Sequence, residues 1–305
     1  MLLSHAFPHY FAAMKNTIRI CVVGLGRAGN FHLTSINQLD NLQLHSVVDA
    51  DAALAQREAE ASGCKWGTDL TELLKDDALD AVVVASPTDA HFDYICQALG
   101  ADKHVFTEKP VGHSVAEINT CFAMAKQRGL ALHLGFQRRF DKNFIALKRR
   151  LPELGQARIV KASSRDNPKP SYEYLSISGN VFHDMLIHDF DMLMFLFGVK
   201  QPETVFAAGH TYDQTIAGFN DYDTVLVSIK YADGLVCSID TSRTSAYGYD
   251  QRIEVFAEHG MATVDNDRNN AVNVYTEKGG SHEPFNYSFP QRYKDAYLEE
   301  LKQFA

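Results

Sequence analysis

Three short stretches carry the side chains best suited to chemistry. Gly24-Leu25-Gly26-Arg27-Ala28-Gly29 follows the apolar run Ile18–Val23 and opens a helical stretch. In that setting the GxGxxG spacing has a physical purpose. The first glycine makes the tight turn, the second lets backbone approach a pyrophosphate, and the third lets helix and strand pack. The helix N-terminus then faces the phosphates. Asp49 lies twenty residues past Gly29, at the end of the next apolar run, where it would accept hydrogen bonds from a ribose. Neither Arg nor Lys occurs between Asp49 and Arg57, so a 2′-phosphate would meet a carboxylate with no nearby cation. NAD is therefore expected rather than NADP. Asp51 reads as a helix N-cap. Taken alone, the glycines would also suit a merely tight strand–helix turn.

The second stretch, Thr107-Glu108-Lys109-Pro110, ends a later apolar run, the place where ligands bind in an open parallel sheet. By itself Lys109 reads equally well as a solvated loop lysine. The third contains Asp184 and His188, four residues apart, which a helix brings to one face. A carboxylate beside an imidazole raises its basicity and orients it, as a general base for an alcohol proton requires. A satisfied polar network on a half-buried helix would look the same. His183, Asp184, His188 and Asp191 also invite a metal reading. However, His183 and Asp184 diverge on a helix, and no metal site is expected.

Two kinds of hydrophobic pattern must position these groups. From Ile18 to about Leu134, short apolar runs (Ile18–Val23, Leu44–Val48, Ala81–Ala85, His104–Phe106, Leu130–Gly135) alternate with helical stretches such as Ala52–Ala61 and Val115–Arg128. Strands buried on both faces and separated by helices mean a doubly wound parallel sheet. After Phe140 the runs alternate polar and apolar: Arg158–Ser164, Thr204–Ala208, Thr224–Tyr231, Gly234–Thr241, Arg252–Ala257 and Met261–Val264. Tyr231-Ala232-Asp233-Gly234 is a hairpin signal between two of them. These runs predict an open, mostly antiparallel sheet, interrupted by one strongly apolar helix, Met185–Phe197. The fold expected is α/β: an N-terminal Rossmann domain over residues 17–136 and a C-terminal α+β domain over residues 137–305.

A chain of 305 residues suits two domains. Its net charge of −9 argues against nucleic acid or an anionic membrane as partner. The five cysteines are scattered, without CxxC, which favours a reducing, cytoplasmic setting over a disulfide frame. Residues Met1–Lys15 fit a secretory or mitochondrial leader poorly, and Met14-Lys15 would make an ordinary start. The chain stops at Ala305 inside an amphipathic stretch from Tyr293 onward, uncapped, so more sequence is expected to follow.

Together these residues resemble the Gfo/Idh/MocA family of oxidoreductases, and within it the inositol-dehydrogenase branch. The likeness runs from about Ile18 to the last residue. It is carried by Val23–Gly29, by Glu108-Lys109-Pro110, by Gly135-Phe136-Gln137-Arg138-Arg139-Phe140-Asp141, and by Ser164-Arg165-Asp166-Asn167-Pro168. It continues through Ile187–Met192 and Tyr247-Gly248-Tyr249-Asp250-Gln251-Arg252. The resemblance implies NAD-dependent oxidation of a cyclic polyol hydroxyl to a ketone. It implies that Lys109 hydrogen-bonds the reacting hydroxyl, that His188 is the acid/base and Asp184 its partner, and that Arg138 or Arg139, Asp191 and Tyr247 line the substrate pocket. Ser86, Pro87 and His91 would sit near the nicotinamide half of the cofactor, with Glu108 and Lys109 beside it. A homo-oligomer, tetramer or dimer, is implied as well. Gln137 stands where this branch often has methionine, and the family's C-terminal segment is absent beyond Ala305. Another sugar or polyol on the same site is the nearest rival, and a cofactor-sensing regulator without catalysis is the rival from another class. Fold alone does not separate them.

Overall fold

A computed structural model of the protein describes residues 17–305, so the expectations for Met1–Lys15 lie outside the described residues. The first unit runs β1 (Ile18–Val23), α1 (Arg27–Ile36), β2 (Leu42–Val48), α2 (Ala52–Ser62), β3 (Lys65–Gly67), α3 (Leu70–Leu74), β4 (Ala81–Val84), α4 (His91–Gly100), β5 (His104–Glu108), α5 (Val115–Arg128) and β6 (Leu132–Gly135). Every pairing is parallel, in the order β3-β2-β1-β4-β5-β6. Val22, Val23 and all of β4 are buried, as strands covered by helices on both faces must be. Asp51 caps α2 by accepting from the Ala53 and Leu54 N–H groups, and Ser114 with Glu117 forms a capping box on α5. The order reverses between β1 and β4, and that switch point is where a ligand crevice opens.

The second unit contains α6 (Lys142–Arg150), β7 (Ala157–Arg165), α7 (Tyr172–Ile177), a π-helical turn (Phe182–Leu186), α8 (Ile187–Phe197), β8 (Pro202–His210), α9 (Gln214–Gly218), β9 (Thr224–Tyr231), β10 (Val236–Ser242), β11 (Asp250–Ala257) and β12 (Gly260–Val264). A small hairpin, β13 (Asn273–Thr276) with β14 (Gly279–His282), and two helices, α10 (Phe289–Arg292) and α11 (Lys294–Phe304), complete it. The main sheet has the order β12-β11-β7-β10-β9-β8. Its pairings are antiparallel except β7 with β10, which is parallel. One face packs Val160, Val227, Ile239 and Val255 against Leu186, Met192, Leu193 and Leu196 of the apolar helical stretch. No described residue outside the sheet covers the row Ile159, Val236, Phe256 and Met261 on the other face, all of them exposed.

Two expectations need correction. The helix predicted over Met185–Phe197 begins earlier, as the π-helical turn at Phe182, and becomes regular only from Ile187. The last helix, assigned to the C-terminal domain, packs on both units, with Ala296 and Tyr297 in the core of the second. Phe31 of α1 stacks on Tyr297 with ring centroids 5.7 Å apart, and Leu301 joins the core formed by β1, β4 and α1. Burial of its apolar face against both units decides its place, and the sequence of an amphipathic helix does not say which partner it will meet.

Candidate active site

The glycine-rich loop lies at the switch point. Gly24 has φ +87°, and a Cβ there would sit 2.5 Å from the backbone of Ser86, which follows β4. A Cβ on Gly29 would lie 1.9 Å from the Gly24 carbonyl oxygen, so this glycine sets how closely α1 approaches β1. Gly26 differs, since among the described residues nothing beyond its chain neighbours comes within 4 Å of the place its Cβ would take. No described contact demands glycine there, and Gly26 precedes α1 without a side-chain cap. Open space beside uncapped N–H groups fits a dinucleotide pyrophosphate. Asp49 accepts from the Leu25 N–H at 2.8 Å and from the Asp51 N–H at 2.9 Å, and is thereby held at the rim of the same loop. Gly24, Gly26, Arg27, Ala28, Gly29 and Asp49 would thus hold NAD, whose adenosine ribose would lie toward Asp49. The Arg27 guanidinium rests over the Phe289 ring, 4.5 Å from its centroid.

Behind the loop, polar side chains brace the strand ends. His91 is buried, with one ring nitrogen 2.6 Å from the Pro110 carbonyl and the other 2.8 Å from that of Ser86. It joins the Ser86-Pro87 turn to the Lys109-Pro110 turn, and both of its nitrogens are committed to protein. Glu108 is buried too, its Oε1 2.8 Å from His32 Nε2 on α1. Burial raises the Glu108 carboxyl, but the His32 hydrogen bond and the charges of His32 and Lys109 prevail and hold it below its ordinary range. Glu108 therefore fixes β5 to the cofactor helix.

Lys109 crosses the cleft. Its ammonium donates to the Asp184 carbonyl at 2.8 Å and to Asp184 Oδ1 at 3.1 Å. The same Oδ1 accepts from the Tyr174 hydroxyl at 2.7 Å, while Oδ2 accepts from Arg243 Nη1 at 2.9 Å. Burial alone would raise the Asp184 carboxyl, but the Lys109 and Arg243 charges, with the Tyr174 and Arg243 hydrogen bonds, keep it below its usual value. No hydrogen bond joins Asp184 to His188 among the described residues, which corrects the expected carboxylate–imidazole pair. Two cations and a phenol claim both carboxylate oxygens, and charge-assisted donors outcompete a neutral ring.

His188 stands beside this network, buried, with Nδ1 lacking a partner and Phe136 edge-on at 5.9 Å between ring centroids. Burial and the charges of Lys109 and Arg138 pull its pKa well below the ordinary 6.5. At neutral pH it is an uncharged imidazole with an acceptor to offer. Asp166, at the end of β7, is half-buried in the same cleft, and its carboxylate accepts no hydrogen bond from any described residue. Burial and the Asp184 charge push it up to about 7, against the opposing pull of Arg138, Arg243 and Lys109. Sequence reasoning gave no role to Tyr174, Asp166 or Arg243. Asp166 sat inside a quoted motif, and Arg243 was the lone charge in Ile239–Ser245 apart from Asp240; nothing in the sequence singled out Tyr174.

The four residues expected to line a substrate pocket are placed differently. Arg138 is buried and bonded to Asp189 Oδ1 at 2.7 Å and to Ser164 at 3.2 Å. Arg139 grips Asp191 through two nitrogens, at 2.8 and 2.6 Å. These pairs fasten Gln137–Phe140 onto α8, and Arg138 also adds positive potential beside His188. Tyr247 lies in the turn between β10 and β11, its hydroxyl accepting from Arg165 and donating to Asp250. Among the described residues no group of three or more His, Cys, Asp or Glu is placed to hold a metal ion.

The glycine loop, the carboxylate at the β2 end and the Lys109–His188 cleft define an NAD-binding oxidoreductase of two domains. Comparison with known proteins agrees. Residues 18–136 match the model of the oxidoreductase family with an NAD-binding Rossmann fold, and residues 149–263 match the GFO/IDH/MocA C-terminal domain. The chain belongs to the Gfo/Idh/MocA family. It is 38% identical to the myo-inositol 2-dehydrogenase of Thermotoga maritima, over 94% of this chain and 87% of that one. It is 35% identical to the inositol 2-dehydrogenase of Rhizobium meliloti, over 94% and 88%. Its fold superposes on scyllo-inositol dehydrogenase from Lactobacillus casei, solved with NAD(H) and scyllo-inositol, with a TM-score of 0.87, 28% identity, and 94% and 88% of the two chains covered.

The two kinds of glycine are separable by experiment. Gly26→Val is expected to leave the unfolding midpoint nearly unchanged and to weaken NAD binding by about tenfold or more. Gly29→Ala is expected to destabilise the fold by about 1–3 kcal/mol in denaturant titration. The reverse pattern would remove the loop from the cofactor site.

Proposed function

We propose that the protein is an NAD-dependent dehydrogenase that oxidises one ring hydroxyl of an inositol to a ketone. The observation that carries this reading is the meeting of a lysine ammonium, an ionised carboxylate and an uncharged, buried imidazole in the cleft beside the glycine loop. The names of the relatives supply the substrate class. NAD+, when bound, accepts the hydride.

The rest is work for the chain. Lys109 donates toward the reacting oxygen and stabilises the negative charge that develops on it, in a site where burial strengthens the interaction. His188 takes the hydroxyl proton as the C–H bond delivers its hydride, leaving a C=O bond. The imidazolium so formed lies beside Lys109 and Arg138, which drive the proton onward to solvent. Asp184 holds Lys109 in place, and Asp166 accepts hydrogen bonds from neighbouring ring hydroxyls, which aims one C–H at the cofactor.

The bare sheet face supports a homo-oligomer. Register places Met261, Phe256, Ile159 and Val236 in one row across four strands, all at least 42% exposed. Such a row, on the face away from α8, suits a second copy of the chain. Every cysteine is free, as a reducing compartment would leave it. No described helix is long and apolar enough to cross a membrane.

Three outcomes follow. With inositols and NAD+, Lys109→Ala should lower kcat on the order of a thousandfold and His188→Ala by about a hundredfold or more, each with NAD affinity retained. Full turnover by either variant removes that residue from the mechanism. Because the Asp166 carboxyl titrates near 7 and binds substrate as the anion, kcat/KM should fall as pH drops through about 7. Asp166→Asn should lose that limb, leaving only the His188 limb, below 6.5. An unchanged profile places substrate elsewhere. Finally, light scattering should find a dimer or tetramer, and the double substitution of Ile159 and Phe256 by Glu should yield monomer. A wild-type monomer contradicts the oligomer.

A further inference from the structure

Arg243 has a place in this site that neither motif nor resemblance supplies. It follows β10 and is fully buried, the largest side chain so enclosed among the described residues. Its two terminal nitrogens reach different carboxylates, Asp184 Oδ2 at 2.9 Å and Asp221 Oδ2 at 2.7 Å. Asp221 uses its other oxygen to accept from the Val181 N–H at 2.8 Å, just before the π-helical turn, and from its neighbour Tyr222 at 2.7 Å. The Arg243 N–H itself donates to the Asp223 carbonyl at 2.8 Å. The guanidinium is thus anchored at its backbone and braced by Asp221. The turn that carries Asp184 is tied at one end to Asp221 and at its centre to Arg243.

This arrangement bears on chemistry because Asp184 meets Lys109 through both its carbonyl and its carboxylate. A shift of the turn would move both contacts together. A carboxylate this deeply buried also needs compensating positive charge to stay ionised, and Lys109 brings a compact ammonium on a long, unbranched stem. Arg243 presents a planar, permanently charged fork that fixes Oδ2 and leaves Oδ1 to Lys109 and Tyr174.

We propose that Arg243 is a positioning residue for the dehydrogenase reaction, acting through Asp184 to hold the Lys109 ammonium against the reacting oxygen. Resting as it does on the functional reading above, it makes the reaction sensitive to a group that never touches substrate or cofactor.

The test is a double-substitution cycle on kcat, with NAD+ affinity and unfolding midpoint measured for each variant. Arg243→Gln alone is expected to lower kcat on the order of a hundredfold, the cost of misplacing a reacting group, with NAD+ affinity unchanged. In the Asp184→Asn background the same change is expected to cost no more than about twofold, because its route is already cut. Arg243→Lys keeps a buried charge but reaches one carboxylate only. It serves where the glutamine variant does not fold, and is expected to show the same non-additivity. Losses that multiply independently, or that vanish when corrected for the folded fraction, overturn the proposal. A wild-type enzyme idle on every inositol overturns the functional reading instead. Turnover by the wild type with multiplicative losses overturns the Arg243 proposal alone.

Discussion

The contact between Lys109 and Asp184 is the constraint around which the molecule is organised. Lys109 leaves the end of β5 in the first sheet, and Asp184 sits on the turn before α8, which covers the second. Both are largely removed from water, where an unpaired charge would cost several kcal/mol. Lys109 finds its carboxylate in the other unit, so the pair fixes where the cleft opens as well as what it contains. The buried ends of both sheets then serve this point. Glu108 and His32 fix the strand from which Lys109 projects, and His91 braces the turn that follows it.

Electrostatics assigns the remaining parts. Lys109, Arg138 and Arg243 surround a space that also holds Asp166, Asp184 and His188. Burial, aided by the positive members, keeps the histidine uncharged, and the same cations keep one aspartate ionised. The second aspartate, buried and crowded by the first, rises toward neutrality. Groups with environments pushed in different directions are what acid–base chemistry at neutral pH requires. A row of cations beside a hydroxyl also stabilises the negative charge that must build on oxygen before a hydride can leave.

Much of the fold was legible in the sequence. The apolar runs located the strands of both main sheets to within two residues at each end, because burial on two faces or one leaves a plain period. β3 and α3, of three and five residues, were too short to show a period at all. The course of α11 depended on a partner that no local pattern names. In the site, the glycine loop stood out because its layout requires particular residue types after a strand, whereas Lys109 read equally well as a loop lysine until the resemblance gave it a role. The Asp184–His188 pair was read from helical spacing, which the π-helical turn and two stronger donors overrule. Arg138 and Arg139 were assigned to the pocket by the resemblance, and each is engaged by an aspartate of α8. Tyr247 was assigned to the pocket by likeness alone, and its hydroxyl is taken up by Arg165 and Asp250. Asp166, Tyr174 and Arg243 become visible only when distant segments meet.

The central claim is direct hydride transfer from a ring carbon of an inositol to the nicotinamide. The most direct measurement supplies myo-inositol deuterated at every ring carbon, together with NAD+, and weighs the reduced cofactor by mass spectrometry. One deuterium in each NADH formed, with a ketone as co-product, is the expected result. NADH carrying only solvent hydrogen, or none formed from any inositol while NAD+ binds tightly, would contradict the account.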